Sequence, residues 1–386
     1  MARGDIVTTQ LDRPPGRSKS TAGPHRDRSV GRSIAWALLG IAVFLLVFAA
    51  AHNIRAGDKL TARVLNPSVH GHPRPVRPLF GDTQWMTKMQ IGTVVTMSIV
   101  VVLFVIYWRR RPKHPVLLMA LACTAIVWMD PIMNWAPYAV YNPLLWHWPE
   151  SWPLVSLSPT VEPLVVFGYV MFYLLPYFPA MALLRRWQER RPLDSFVWRH
   201  PLITMAGLIF VIGFIFDTML EVFSIRAGLY IYSQVIPFGS IFVGKPYQFP
   251  LIWEASLVTL VMIPAGVLLY RDDTGRTQAE KLAQRLRGRF FRERPAFTTL
   301  CVMFAILMVA YSLYGLGYAV IRWSRAATSV ACPYPYPEAK VYDPQGVYAK
   351  NGQPGPYFSG IWNGWESAHS GRPNVATAAS GRCATG

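Results

Sequence analysis

An all-α integral membrane protein, a bundle of seven transmembrane helices with its N-terminus cytoplasmic and its C-terminus extracytoplasmic, is the fold class this sequence predicts. Three observations predict it. Hydrophobic residues fill 52% of the 386 positions and charged residues 15%. The apolar residues gather into seven stretches of the length a hydrocarbon core of about 30 Å demands, which is about 20 helical residues. Lys and Arg gather in alternate connections between those stretches, as retention on the cytoplasmic side requires.

Residues 1–32 are rich in Arg, Ser and Pro without apolar periodicity and read as a disordered basic cytoplasmic arm. The span at 33–52 lacks a small-residue cleavage pattern, which points to a retained anchor rather than a signal peptide. Further spans are expected at about 89–108, 115–135, 161–184, 202–225, 249–270 and 297–321, the sixth carrying Glu254 and Pro264. The arm, the turn 109–114, the stretch 185–200 and the segment 271–296 hold 24 of the 38 Lys and Arg, whereas the connection 136–160 holds none. The transmembrane domain therefore runs from 33 to 325. A Pro- and Gly-rich extracytoplasmic tail, 326–386, is too poor in aliphatic residues to form its own core, and either packs on the outer face through Tyr357 to Trp365 or stays disordered.

A net charge of +18 suggests nucleic acid in a soluble chain. Here the charge lies in short loops where topology accounts for it, so the expected partners are membrane lipids and a hydrophobic small molecule, with no nucleic acid. Of the four cysteines, Cys123 and Cys301 fall inside spans as small core hydrophobes, and Cys332 and Cys383 fall in the tail, paired or free.

Threading the spans puts five carboxylates on one side of the membrane: Asp130, Glu162, Asp217, Glu221 and Glu254. Acidic groups in hydrocarbon are costly, and they usually face a bundle interior, a partner or a wet cavity. Asp217 and Glu221 are four apart and share a helix face. Both ionised, they repel; a proton held by one leaves an acid beside a base, the arrangement general acid and base work requires. Structural roles compete for each. Glu162 before Pro163 suits a helix start, Glu254 can favour the helix dipole or pair with Lys245, Asp217 and Glu221 can pair with Arg226, and Asp130 or Asn134 can satisfy backbone groups freed by Pro131.

The connection after the third span crowds Trp135, Tyr138, Tyr141, Trp146, Trp148 and Trp152 among prolines, either an interfacial belt or a lid whose aromatic faces steady a cation. Substrate contacts are expected from Asn134, Trp135, Tyr138 and Trp253. Several classes fall away. No Lys lies in the seventh span to hold retinal, and HExxH, GxSxG, the histidine boxes of di-iron enzymes, phosphate-cradling glycine loops and DDxxD are all missing. No metal and no cofactor is expected.

The stretch PVLLMALACTAIVWMDPIMNW from Pro115, the aromatic connection after it, and SLSPTVEPLVVFGYVMFYLLPYFPAMALLRR resemble the spirocyclase AveC-like membrane proteins of actinobacteria, and the resemblance extends through FDTMLE and WEASL. It implies a multi-pass cell-membrane protein of polyketide biosynthesis that forms a spiroketal or dehydrates its product, and it implies no particular catalytic residue. From the carboxylates, Asp217 and Glu221 are expected as the acid and base pair, with Asp130 and Glu254 positioning or tuning them and Glu162 in the same group. A proton-coupled transporter of a lipophilic molecule would also carry intramembrane acids, but usually near mid-membrane and in inverted repeats. A non-catalytic membrane scaffold would leave the acids unexplained.

Overall fold

In the computed structural model the described residues are 78–142, 145, 163–286 and 288–331, with two short strands at 341–342 and 357–358. The chain divides into two compact units, 1–52 and 53–386, and everything described belongs to the second. The arm, the span at 33–52, Glu162, Trp146, Trp148, Trp152, Cys332, Cys383 and Tyr357 to Trp365 apart from the strand at 357–358 lie outside the described residues, as does the side chain of Trp135.

Most of the described chain is helical. Helix α1 covers Trp85–Arg110, α2 Pro115–Ala125, a 3-10 turn Val127–Met129 and α3 Asp130–Trp135. Strand β1, Ala139–Tyr141, precedes α4, Pro163–Leu174, α5, Tyr177–Glu189, α6, Phe196–Arg199, and α7, Pro201–Ala227. Strands β2, Tyr230–Tyr232, and β3, Gln234–Val235, lead to α8, Leu251–Val267. After it come α9, Gln278–Arg285, α10, Arg289–Glu293, α11, Pro295–Trp323, β4, Ser329–Val330, β5, Val341–Tyr342, and β6, Tyr357–Phe358.

Three of these helices, α1, α7 and α11, are long and apolar enough to cross a membrane. α1 buries only Trp85, Met86 and Gln90 of its 26 residues; an apolar helix exposed nearly all round has lipid as its natural solvent. α7 and α11 both begin with Pro at the first turn, where a missing N–H costs nothing. α7 ends on Gly228 in the left-handed region, φ 83°, whose N–H returns to the carbonyls of Ser224 and Ile225.

The other apolar segments are shorter or interrupted. The stretch expected as one span at 115–135 is α2, the 3-10 turn and α3 in succession. Pro131 has no N–H to continue the helix that precedes it, and Asn134 Nδ2 instead bonds the Asp130 carbonyl at 3.0 Å. The stretch expected at 161–184 breaks between α4 and α5 at Leu175 and Pro176 for the same reason. His114 caps α2, its Nδ1 accepting from the Val116 N–H at 3.4 Å. Partial burial, then the cations of Arg271 and Arg111, push that imidazole below its ordinary value, which suits a neutral acceptor.

Helix α8 is central, packing on α7, α11, α4 and α5. Small residues allow the close approach: a Cβ on Gly213 of α7 would stand 2.8 Å from Met262 Sδ and 3.0 Å from Thr259 Cγ2 of α8. The C-terminal ends of α3, α7 and α11 and the N-terminal end of α8 meet at one end of this unit, tied by two antiparallel ribbons. β1 pairs with β2, Ala139 opposite Tyr232 and Tyr141 opposite Tyr230, and β3 pairs with β4; β5 and β6 pair in parallel elsewhere in the tail. Fully buried Gln248 fastens both ribbons, its Nε2 donating to the carbonyls of Tyr232 at 3.0 Å and Ser329 at 3.2 Å, and its Oε1 accepting from Ser329 Oγ at 2.9 Å. The tail residues up to 331 are thus part of the fold, a contact that composition did not foretell.

Candidate functional site

Beneath the β1–β2 ribbon lies a cavity of about 410 Å³. That volume is within the range of small-molecule sites. Three of the five carboxylates singled out from sequence line it, each from a different helix: Asp130 of α3, Glu221 of α7 and Glu254 of α8. Its polar wall is otherwise built from tyrosines, Tyr141, Tyr169, Tyr173, Tyr230, Tyr311 and Tyr314, and its apolar wall from side chains such as Met133, Phe172, Phe216 and Val258.

Each acid is held by hydroxyl donors rather than by cations. Tyr169 Oη donates to Asp130 Oδ1 at 2.5 Å and Asn134 Nδ2 to Asp130 Oδ2 at 2.8 Å, while Tyr141 Oη donates to Asn134 Oδ1 at 2.9 Å. Tyr169 also meets Tyr311 hydroxyl to hydroxyl. Both Glu254 oxygens accept from α11, Oε1 from Tyr314 at 2.8 Å and Oε2 from Tyr318 at 2.6 Å. Glu221 Oε2 accepts from Tyr232 at 2.7 Å. No Lys or Arg forms an ion pair with these acids among the described residues.

The salt-bridge alternatives therefore fail. Arg226 instead stacks on the rings of Tyr247 and Phe242, 4.0 and 4.7 Å from their centroids, and Glu254 turns to α11, away from any pairing with Lys245. The helix-start role of Glu254 survives alongside the site, since it lies in the first turn of α8. Away from the cavity the contrast is plain: the Lys88 ammonium, 2.6 Å from Asp82, holds that carboxyl below its usual range.

Asp217 is placed differently from its partner Glu221. It is wholly buried, is not part of the cavity lining, and neither carboxyl oxygen has a hydrogen-bond partner among the described residues. Glu221 and Glu254 are the acids whose fields it feels. A buried polar group without a partner costs about 1–3 kcal/mol. Asp217→Val, which removes both orphaned oxygens, is accordingly expected to stabilise the detergent-solubilised protein by about 1–2 kcal/mol, read as a higher thermal midpoint.

The four expected substrate contacts separate. Asn134 lines the cavity. Tyr138 and Trp253 do not; they border a crevice of about 10 Å³ on the far side of Tyr318, room for a water and no more. Tyr138, with φ 63°, lies under the Arg322 guanidinium at 3.8 Å, and Arg322 Nε bonds the Ala136 carbonyl at 2.9 Å. Trp253 Nε1 donates to the Phe238 carbonyl at 2.7 Å. Both aromatics fix loops and lie apart from the acids, so neither contributes to the cavity as expected.

Sequence reasoning missed the tyrosines. The signal was present: Tyr311, Tyr314 and Tyr318 are spaced three and four apart, as are Tyr169 and Tyr173 by four, which puts each set on one helix face. Hydroxyls at helical spacing opposite intramembrane acids are a polar seam that hydrocarbon would not tolerate on the outside. Chemically, the arrangement can hold a proton on one carboxyl, accept one on another, and orient hydroxyl or carbonyl oxygens of a guest through phenols, with no metal-ligating cluster among the described residues.

Fold and site together define a helical protein with three helices long and apolar enough to cross a membrane and a carboxylate–tyrosine cavity at one end of its described helices. Residues 108–342 match the family described as spirocyclase AveC-like. That is well over half of the chain and holds every element of the cavity, so the chain belongs to the spirocyclase AveC-like family. Comparisons with curated proteins and with solved structures give no match.

Proposed function

We propose that the chain is a multi-pass cell-membrane cyclase that closes a long dihydroxy ketone, a polyketide or a related lipid, to a spiroketal. The observation that carries this is the convergence of Asp130, Glu221 and Glu254 from three helices on one cavity whose remaining walls, Asn134 and Ser224 apart, are phenolic or apolar. Family membership supports the same reaction class. On the alternation of Lys and Arg the chain crosses the membrane seven times with its N-terminus inside, which sets the cavity in the outer leaflet.

The chemistry balances with carboxyls alone. One substrate hydroxyl adds to the ketone carbon, its proton passing to the ketone oxygen, and a hemiketal forms. A carboxylic acid then protonates the hemiketal hydroxyl, the carbon–oxygen bond breaks, and water leaves an oxocarbenium ion. The second hydroxyl bonds to that carbon and gives its proton to a carboxylate. We assign the proton transfers to Glu221, the orientation of the carbonyl to the Asp130–Asn134–Tyr169 group, and the steadying of positive charge to Glu254 and the Tyr311 and Tyr314 rings. Asp217 tunes Glu221 from behind rather than touching substrate.

The test is a mass-spectrometric assay on membranes containing the wild-type chain, with a panel of long dihydroxy ketones. Loss of one water to a single spiroketal stereoisomer, absent from membranes lacking the protein, is the expected result. A stereochemical mixture equal to the uncatalysed one would refute the proposal.

A further inference from the structure

Of the residues that border the cavity, Met171 at 43% and Leu220 at 40% are the most exposed; the others are buried or half-buried. Met171 belongs to α4 and Leu220 to α7, so they stand on opposite sides of one gap. Helix α4 packs on α1, α2 and α8, and α7 packs on α5, α6 and α8; α4 and α7 meet across the gap at the rings of Phe172 and Phe216, centroids 5.9 Å apart. Gly168, one turn before Phe172, also lines the cavity, and a Cβ there would meet no atom within 4 Å. At the ribbon end the cavity is roofed: β1 and β2 are hydrogen-bonded side by side, and Tyr141 and Tyr230 pack with centroids 5.0 Å apart.

From this we infer that the guest of the cavity arrives sideways from the hydrocarbon, through a window framed by Gly168 and Met171 on α4 and Leu220 on α7, with Phe172 and Phe216 as its sill. The inference rests on the cavity of the proposed cyclase and names its substrate class: a membrane-dissolved amphiphile, its oxygenated segment among the acids and an unbranched apolar chain trailing through the window into lipid. Both jambs are apolar, so an alkyl chain in the gap loses nothing relative to lipid, whereas a polar chain would lose its solvation. A Gly at the rim leaves space for the chain, and two aromatic rings that meet only at a tilt, 46° between their planes, can part without breaking a hydrogen bond.

The experiment uses a long-chain secondary alcohol with a diazirine next to its hydroxyl carbon, which cannot cyclise, so the route is tested separately from the chemistry. The probe is dissolved in proteoliposomes holding the full chain, photolysed, and its adducts are mapped by mass spectrometry. Adducts are expected on cavity residues such as Tyr173, Val258 and Tyr311, and Gly168→Trp, which plugs the window from α4, should reduce them at least tenfold. Leu220→Trp plugs it from the opposite side and should do the same; two plugs on different helices, each with an unchanged thermal midpoint, separate blockage from misfolding. Cavity labelling that persists in both variants, adducts concentrated on the ribbon residues outside the cavity lining, Ala139, Val140, Ile231 and Tyr232, or no cavity adducts in the wild type would each overturn the lateral route. Labelling through the window with no spiroketal from any dihydroxy ketone would leave the route standing and remove the cyclase.

Discussion

Glu221→Gln is expected to lower spiroketal formation by about 10²–10⁴-fold, the usual contribution of a general acid or base, with KM changed little. Glu221 is the carboxyl most open to the cavity: it is half-buried, whereas Asp130 and Glu254 are 3% and 5% exposed. The amide keeps the shape and can still accept from Tyr232, now at 2.7 Å, so the fold should be preserved. What it loses is the proton. Asp130→Asn provides the comparison, because both Asp130 oxygens are already occupied by Tyr169 and Asn134; its loss should be smaller and should fall partly on KM, as expected of a group that orients substrate. Turnover by Glu221→Gln within threefold of wild type would remove Glu221 from the chemistry and leave the family assignment untouched.

How much of this was legible in the sequence depends on which residues are asked about. The long apolar helices α1, α7 and α11 were, because a run of about 20 hydrophobic residues has few other stable states. The interruptions were written too, in Pro131 and Pro176, but a proline in an apolar run does not say whether the helix kinks or ends. Three of the acids expected at one depth line one cavity, and that expectation came from helical rise, which converts position in a span into depth. Depth is not direction, however. Asp217 and Glu221 share a face by spacing, yet a shared face is wide enough for one to be buried outside the cavity lining and the other to line it. Tyr138 and Trp253 lie outside the cavity for a related reason: aromatic richness marks a region, and only tertiary contacts decide that Tyr138 stacks under Arg322 and Trp253 pins the loop at Phe238.

Glu254 is where architecture and chemistry are most closely joined, and two substitutions can divide them. Its oxygens take the hydroxyls of Tyr314 and Tyr318 at 2.8 and 2.6 Å, fastening the first turn of α8 to α11. Glu254→Ala leaves both phenols buried without an acceptor; at about 1–3 kcal/mol for each stranded group, it is expected to destabilise the protein by about 3–5 kcal/mol, with loss of activity following from loss of the site. Glu254→Gln keeps the side-chain length. Its carbonyl oxygen can accept from one tyrosine while its amide donates to the other, provided that hydroxyl turns to accept. The thermal midpoint should therefore stay near wild type in the Gln variant and fall sharply in the Ala variant. Turnover then carries the chemical information. If Glu254 steadies an oxocarbenium ion, a neutral amide at the same place removes the charge that opposes it, and kcat should fall about 10-fold to 10³-fold in a protein that remains folded and still binds the photoreactive alcohol. A stable Gln variant with full turnover would make Glu254 a structural clamp between α8 and α11 and shift the steadying of the cation to the tyrosine rings alone.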